Sequence, residues 1–166
     1  MAFPPSPAPP EDSAWPPWGE HVLLDRARAL QRAAQSGRAQ PLLRGKNLGL
    51  LCADDTQPAA LMFRHAAGEL GAHVAHIGMS LSERSPAQDV VHTARLLGRL
   101  YDAVECQGLA SALVMQIADI SGIPIYDAAA ANTVQLTRLA MLLGPESALA
   151  DNRRFALQAL LLHTIV

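Results

Sequence analysis

Several features that identify common classes of protein are missing from this 166-residue chain. Its two cysteines, Cys52 and Cys106, are too few for a disulfide framework and too scattered for a zinc-binding motif. Only 4% of the residues are aromatic and 17% are charged, and 13 basic against 15 acidic side chains give a net charge of -2. No lysine- and arginine-rich run occurs, so the sequence lacks the basic footprint of a nucleic-acid-binding protein.

Signals for export and for membrane insertion are also missing. The N-terminus lacks the basic-then-apolar pattern of a signal peptide, and no apolar run approaches the roughly 20 residues that span a bilayer. We therefore expect a cytoplasmic protein with no membrane partner and reduced thiols. The two cysteines are interpreted as small buried hydrophobic side chains, with a redox pair or a reactive thiol as the alternative.

Motifs for metals and common cofactors are equally scarce. The chain has no serine elbow, P-loop or dinucleotide-binding glycine fingerprint. His73 and His76 are three residues apart on a predicted strand, so their side chains should face opposite sides, which is poor geometry for chelation. We expect no metal site and no cofactor.

The sequence does contain enough apolar residues for one globular core. Half of the side chains are hydrophobic, and a domain of about 150 residues buries roughly 70% of its unfolded surface. Proline is concentrated in residues 1–19, which predicts an extended, solvated arm before a domain at residues 20–166. Trp15 and Trp18 in this arm are expected to dock on the domain's own surface, or else to belong to a proline-rich ligand for a partner protein.

Hydrophobic periodicity predicts strands that alternate with helices along the domain. Helices are predicted at residues 21–36, 58–70, 86–99, 111–121, 133–143 and 151–163, and strands at 46–52, 73–77, 102–106 and 123–126. This order favours an α/β, Rossmann-like domain in which a four-stranded parallel sheet carries helices on both faces. The leucines of residues 157–162 are too apolar for a solvated helix, so either the domain or another subunit should cover them.

One segment resembles a known family. It runs from a strand through the turn Thr56-Gln57-Pro58-Ala59-Ala60 into a helix and ends Leu70-Gly71-Ala72-His73-Val74. This pattern resembles the carbamoyl-phosphate-binding half of the aspartate and ornithine carbamoyltransferases. In that family the turn reads Ser-Thr-Arg-Thr-Arg and cradles a phosphate at the helix N-terminus. Both arginines are replaced in this chain.

The resemblance extends over nearly all of residues 21–143. It includes the segments Pro41-Leu42-Leu43-Arg44-Gly45-Lys46-Asn47-Leu48, His92-Thr93-Ala94-Arg95-Leu96-Leu97 and Gly122-Ile123-Pro124-Ile125. Asp151-Asn152-Arg153-Arg154-Phe155 and the leucines after it are similar to the family's C-terminal helix, beginning at about residue 151. The resemblance therefore implies that the amino-acid-binding second domain is missing and that residues 144–150 bridge the gap.

The departures from the family pattern fall on its chemistry. Gln107 stands where the family has an arginine, and Asn132-Thr133-Val134-Gln135 stands where it has His-Pro-x-Gln. Each lost arginine contact is worth roughly 1.5 to 3 kcal/mol, and a combined loss of about 4 kcal/mol weakens binding about a thousandfold. Asp54 and Asp55 are expected to cap the amides of the following helix and to repel a phosphate.

Ligands of parallel sheets bind beyond the carboxyl ends of the strands, where this chain places polar side chains. The predicted ligand-binding residues of this degenerate site are Asp54, Asp55, Thr56, Gln57, Gln107, Asn132 and Gln135. No catalytic residue is assigned.

The resemblance leads to a first hypothesis, that the chain is a catalytically silent, truncated carbamoyltransferase-like protein with an assembly or regulatory role. The family relationship implies a homotrimer, or a hetero-oligomer with an active transcarbamoylase. The alternative is a protein or enzyme that binds another small ligand in the remodelled cleft. Residual carbamoyl transfer is a third possibility.

Overall fold

The computed structural model describes residues 19–131 and 133–166. Trp15, Trp18 and Asn132, to which the sequence assigns roles, lie outside these described residues. The elements are α1 (Glu20–Gln35), β1 (Asn47–Leu51), α2 (Pro58–Glu69), β2 (His73–Ile77), α3 (Ala87–Leu100), β3 (Ala103–Cys106), α4 (Ser111–Ser121), β4 (Ile125–Asp127), α5 (Val134–Leu142) and α6 (Leu149–Ile165).

The four strands form one parallel sheet in the order β2-β1-β3-β4. Gly49 of β1 pairs with Ala75 of β2 on one side and with Val104 of β3 on the other. A methyl group at Gly49 would lie 2.8 Å from Ile77 Cδ1, so a larger residue here would require the Ile77 side chain to shift. The predicted α/β class and the four-stranded parallel sheet are confirmed.

Successive side chains along each strand point to opposite faces of the sheet and pack in two separate hydrophobic cores. On one face Leu48 and Leu50 pack among α1, α2, α5 and α6. On the other face Leu51 and Val104 pack against α3 and α4. Helices therefore cover both faces of the sheet, as the sequence predicts.

Helix α6 lies inside the first core and contacts α1, α2 and α5. Leu157, Leu160 and Leu161 are completely buried within the single chain, so the domain itself covers the leucine-rich segment. Two buried amides on the same helix find partners, because Asn152 Nδ2 donates to Ala140 O and Gly144 O, and Gln158 Nε2 donates to Ala66 O. These hydrogen bonds remove the cost of burying polar groups.

The last strand differs from its predicted position at residues 123–126. Helix α4 ends at Gly122, whose φ of 72° is left-handed, and the chain then passes through Ile123 and Pro124 before β4 begins. Pro124 has no amide to donate to a ladder, although its carbonyl accepts from Val104 N. In the described part of the chain, no helix combines the length and the apolar character that a membrane crossing needs.

Candidate functional site

The carboxyl ends of β1 and β3 lie side by side at one edge of the sheet. Leu51 is the register partner of Cys106, and the amide of Gln107 donates to Leu51 O at 2.9 Å. The turns that follow these two strands are therefore neighbours. They carry five of the seven predicted site residues.

The first of these turns is organised around the carboxylate of Asp54. Its Oδ1 accepts from the hydroxyl and the amide of Thr56 at 2.6 and 2.9 Å, and its Oδ2 accepts from Gln57 Nε2 at 2.9 Å. The hydrogen bond from the Thr56 hydroxyl, followed by those from Gln57 and the Thr56 amide, lowers the pKa of Asp54 to about 2. Asp54 is thus a stable anion at any physiological pH.

The expectation that Asp54 and Asp55 cap the next helix is wrong. The N-cap of α2 is Gln57, whose side chain makes no capping hydrogen bond, and Pro58 occupies the first turn as the sequence predicts. Asp54 instead bonds the amide two residues ahead, which is the local turn that aspartate forms in competition with helix caps. Both carboxylates nevertheless lie in the turn that leads to this helix N-terminus.

Asp55 belongs to a second small network. Its Oδ2 lies 2.8 Å from Arg64 Nη2 on α2 and 3.8 Å from His76 Nδ1 on β2. The other ring nitrogen of His76 lies 2.9 Å from the carbonyl oxygen of Cys52. The guanidinium of Arg64 is therefore paired with a carboxylate of this turn.

The turn after β3 is built on Glu105, which sequence reasoning missed. Its side chain is completely buried and accepts from Ala129 N at 2.9 Å, from Ala130 N at 2.8 Å and from Gln107 Nε2 at 3.2 Å. Burial raises the pKa of Glu105 to about 7 despite these hydrogen bonds. An acidic residue in the middle of the apolar strand Ala103–Cys106 was the signal available in the sequence.

The hydrogen bonds of Glu105 orient the Gln107 side chain and the backbone segment that follows β4. Gln107, predicted to face a ligand, turns back to the buried carboxylate. The segment after β4 is held in place with Ala128 at a φ of 52°, a left-handed conformation that is rare for alanine. Beside it, the Ser111 hydroxyl donates to Asp127 Oδ2 at 2.6 Å.

The remaining predicted residues are not drawn into these networks. Gln135 is half-buried in the first turn of α5 and makes no hydrogen bond to a described residue. Thr133 serves as the N-cap of that helix, accepting from Leu136 N. Asn132 lies outside the described residues, and its predicted role stays a prediction.

The two cysteines are free and buried, as the sequence predicts. Cys52 packs in the core beneath α2 and α6, whereas Cys106 packs in the core beneath α3 and α4, so they point to opposite faces of the sheet and are not a redox pair. Burial raises both thiol pKa values, that of Cys106 to about 12. Among residues 19–131 and 133–166, histidines, cysteines and acidic residues do not gather into a metal-binding group.

A family model described as the carbamoyl-P binding domain of aspartate/ornithine carbamoyltransferase matches residues 18–136. The chain is 36% identical over 105 residues to an ornithine carbamoyltransferase of Actinobacillus pleuropneumoniae serotype 5b, a match that covers 63% of this chain and 31% of that protein. A catabolic ornithine carbamoyltransferase of Mycoplasma capricolum subsp. capripneumoniae is 37% identical over 105 residues, with 63% and 34% covered. The matched region thus spans about a third of the length of these relatives.

Solved structures show the same fold. The ornithine carbamoyltransferase of Gloeobacter violaceus superposes with a TM-score of 0.54 at 26% identity, over 75% of this chain and 39% of the other. The catalytic subunit of the M. jannaschii aspartate transcarbamoylase gives a TM-score of 0.61 at 21% identity, over 78% and 42%.

Proposed function

The chain belongs to the aspartate/ornithine carbamoyltransferase family, in which it covers the carbamoyl-phosphate-binding domain, and from this premise we propose that it has lost catalysis and serves in assembly or regulation. Its partner is an active transcarbamoylase, in a mixed complex, or further copies of itself, in a trimer. The observation that carries this proposal is the charge of the turn before α2.

An anion that approaches the N-terminus of α2 meets two carboxylates. Asp54 stays ionised because hydrogen bonds hold its pKa at about 2, and Asp55 lies next to it in the same turn. The dipole and free amides of a helix N-terminus attract negative charge, but the attraction of a surface helix end is worth only about 0.3 to 1 kcal/mol. Each carboxylate about 4 Å away opposes it by a similar amount even in water.

Among residues 19–131 and 133–166, no unpaired cation stands in for the missing family arginines at this turn. Positions 57–60 read Gln-Pro-Ala-Ala, and the guanidinium of Arg64, one helical turn further on, is paired with Asp55. Gln107, at the third arginine position, donates to Glu105 instead. These contacts support the loss of phosphate affinity and therefore of carbamoyl transfer.

An assembly role is supported by exposed apolar side chains on α5. Val134 and Met141 expose 79% and 68% of their surface, and Leu142 beside them exposes 43%. They line a shallow groove of about 500 Å³ together with Thr133, Thr137 and Arg138. This face adjoins the short connection between α5 and α6, where the resemblance places the missing second domain, so we propose it as the partner contact.

A second candidate function is recognition of a cationic or neutral small molecule in the same cleft. It is favoured by the surplus of carboxylates at the sheet edge, namely Asp54, Asp55 and Asp127. Thermal-shift screening tests it, because a ligand at 100 times its dissociation constant adds about 2.7 kcal/mol of stability. A flat response to cationic and neutral metabolites would exclude this candidate.

Two measurements test the first proposal. Size-exclusion chromatography with light scattering should show the chain as a trimer, or as a stable complex after co-expression with the host's active transcarbamoylase. An assay of the purified chain with carbamoyl phosphate and either ornithine or aspartate should give no turnover. A monomer under both conditions would contradict the assembly role, and turnover would contradict the loss of catalysis.

A further inference from the structure

A groove of about 770 Å³ runs along the seam between α1 and α6, away from the sheet edge described above. Its floor is apolar and is formed by Leu30, Leu42, Leu70, Phe155 and Leu162. The volume falls within the range of sites that bury a small ligand or a short peptide segment. Nothing in the proposed assembly role accounts for it.

The two helices run antiparallel, which gives the groove a direction. Gln31 Nε2 donates to Asn152 Oδ1, and Gln35 near the end of α1 donates to Ser147 just before α6. The last residue, Val166, therefore lies toward the beginning of α1. Arg26 marks this end of the groove and Arg38 marks the other.

The three arginines that line the groove differ in whether they are paired with a carboxylate. Arg154 is bonded to Glu69 at 2.8 Å and to Asp151 at 2.6 Å. Arg26 and Arg38 form no hydrogen bond or ion pair with any residue in the described part of the chain. Within the described residues, the groove thus combines an apolar floor with two guanidinium groups that have no partner, which suits an apolar segment that carries acidic residues.

We propose that the chain's own N-terminal arm, residues 3–15, occupies this groove. The arm contains Glu11 and Asp12 and has no lysine or arginine, so its charge is complementary to the two arginines. Trp15 and several prolines supply apolar surface. Because proline has no amide to leave unsatisfied, such a segment can cover apolar side chains at low cost.

The length of the arm fits the length of the groove. Arg26 lies seven residues after Gly19, about 10 Å along a helix, and Arg38 lies roughly 25 to 30 Å away. A proline-rich chain that extends about 3.1 Å per residue takes Trp15 about 12 Å and Glu11 about 25 Å back from Gly19. Trp15 then stacks beside Arg26, and Glu11 and Asp12 reach Arg38.

Attachment to α1 also favours the contact energetically. A segment tethered by four to eight residues has a millimolar effective concentration at its site, so weak contacts suffice to hold it. The arm then covers Leu42, which is 51% exposed, and the partly buried Leu30. A free amphipathic anion, or the arm of a second copy, would be the competing occupants.

Tryptophan fluorescence tests the proposal directly, since Trp15 and Trp18 are the only tryptophans in the protein. In the Trp18→Phe variant, Trp15 is the sole emitter. Its emission should lie to the blue of free N-acetyltryptophanamide, and acrylamide should quench it several-fold more slowly. Emission and quenching equal to those of the free compound would overturn the proposal.

Charge-reversal variants in the same background identify the groove. Arg38→Glu should at least double acrylamide quenching, and adding Glu11→Arg with Asp12→Arg should restore protection. Arg95→Glu, on exposed α3 at the other face of the sheet, is the matched control and should change nothing. Unchanged quenching in Arg38→Glu would overturn the proposal, as would protection that disappears on fifty-fold dilution, which would indicate a second copy's arm.

Discussion

Arg64 Nη2 lies 2.8 Å from Asp55 Oδ2, so the Arg64 guanidinium is paired with a carboxylate of the turn between β1 and α2. Both side chains are partly exposed, and such a pair adds little to stability. Its consequence is electrostatic, because it keeps positive charge on the side of α2 while Asp54 remains ionised at the turn. This arrangement supports the proposal that an anion binds weakly at this helix N-terminus.

Neutralising the two carboxylates should recover part of the lost anion affinity. In Asp54→Asn with Asp55→Asn, two carboxylate charges are removed and Arg64 is released from its ion pair, so phosphate should bind several-fold more tightly. Titration followed by the phosphorus NMR shift of inorganic phosphate measures the change. Asp25→Asn with Asp119→Asn removes the same net charge from exposed positions on α1 and α4 and should leave the affinity unchanged.

Glu105 should make the protein less stable as the pH rises through neutrality. Its pKa is about 7 in the folded chain against an ordinary value of 4.5, so the folded state binds more protons between these values. The stability that this group contributes at low pH is then lost as the pH rises from about 4.5 through 7, by roughly 3 kcal/mol in total.

Urea unfolding between pH 5 and pH 8 measures this loss. The free energy of unfolding should decline with pH in the parent chain and decline much less in Glu105→Gln, which cannot ionise. The substituted amide can accept from only one of Ala129 N and Ala130 N, so a lower overall stability is also expected. Parallel pH profiles of the two proteins would show that Glu105 does not titrate in this range.

Two helical glycines provide a matched test of the packing between α3 and α4. A methyl group at Gly98 would lie 2.3 Å from Ser121 O, which is backbone and cannot move away cheaply, so Gly98→Ala should destabilise by about 1 to 3 kcal/mol. Gly68 in α2 has nothing within 4 Å of that position, and Gly68→Ala should stabilise by up to about 1 kcal/mol. Thermal unfolding of both variants decides the matter.

The outer face of α5 should be needed for assembly. Val134→Asp with Met141→Asp places two charges in the proposed contact and should dissociate the complex in light scattering without unfolding the exposed helix. Leu96→Asp with Leu100→Asp makes the same change at exposed positions of α3, and the complex should persist. Dissociation by the α3 pair alone would move the contact to the other face of the sheet.

Most of the fold could be predicted because strands such as Asn47–Leu51 and helices such as Ser111–Ser121 have unambiguous hydrophobic periods. The start of β4 could not, because Pro124 separates the apolar pattern from the hydrogen bonding that defines a strand. The sequence placed five polar residues after β1 and β3, and the structure shows that these two strand ends are neighbours, while their role in binding a ligand stays a prediction.

Side-chain directions at the site were harder to predict. Asp54 forms a local turn instead of capping α2. Gln107 donates a hydrogen bond to the buried Glu105. The hydrophobic pattern of β3 shows Glu105 only as one polar residue in an apolar strand and does not indicate its partners. The sequence also could not show whether the Cys52 and Cys106 side chains lie on the same face of the sheet, because a shift of one residue in a strand moves its side chains to the other face. Such details depend on tertiary contacts that a linear pattern does not contain.

Titration of the purified chain with carbamoyl phosphate, followed by phosphorus NMR, tests whether the turn before α2 has lost its affinity for phosphate. We predict no saturable binding up to millimolar concentrations, because the turn before α2 carries two carboxylates and no unpaired cation from the described residues lies beside them. Saturable, stoichiometric binding at micromolar concentrations that is abolished by Thr56→Ala would contradict it.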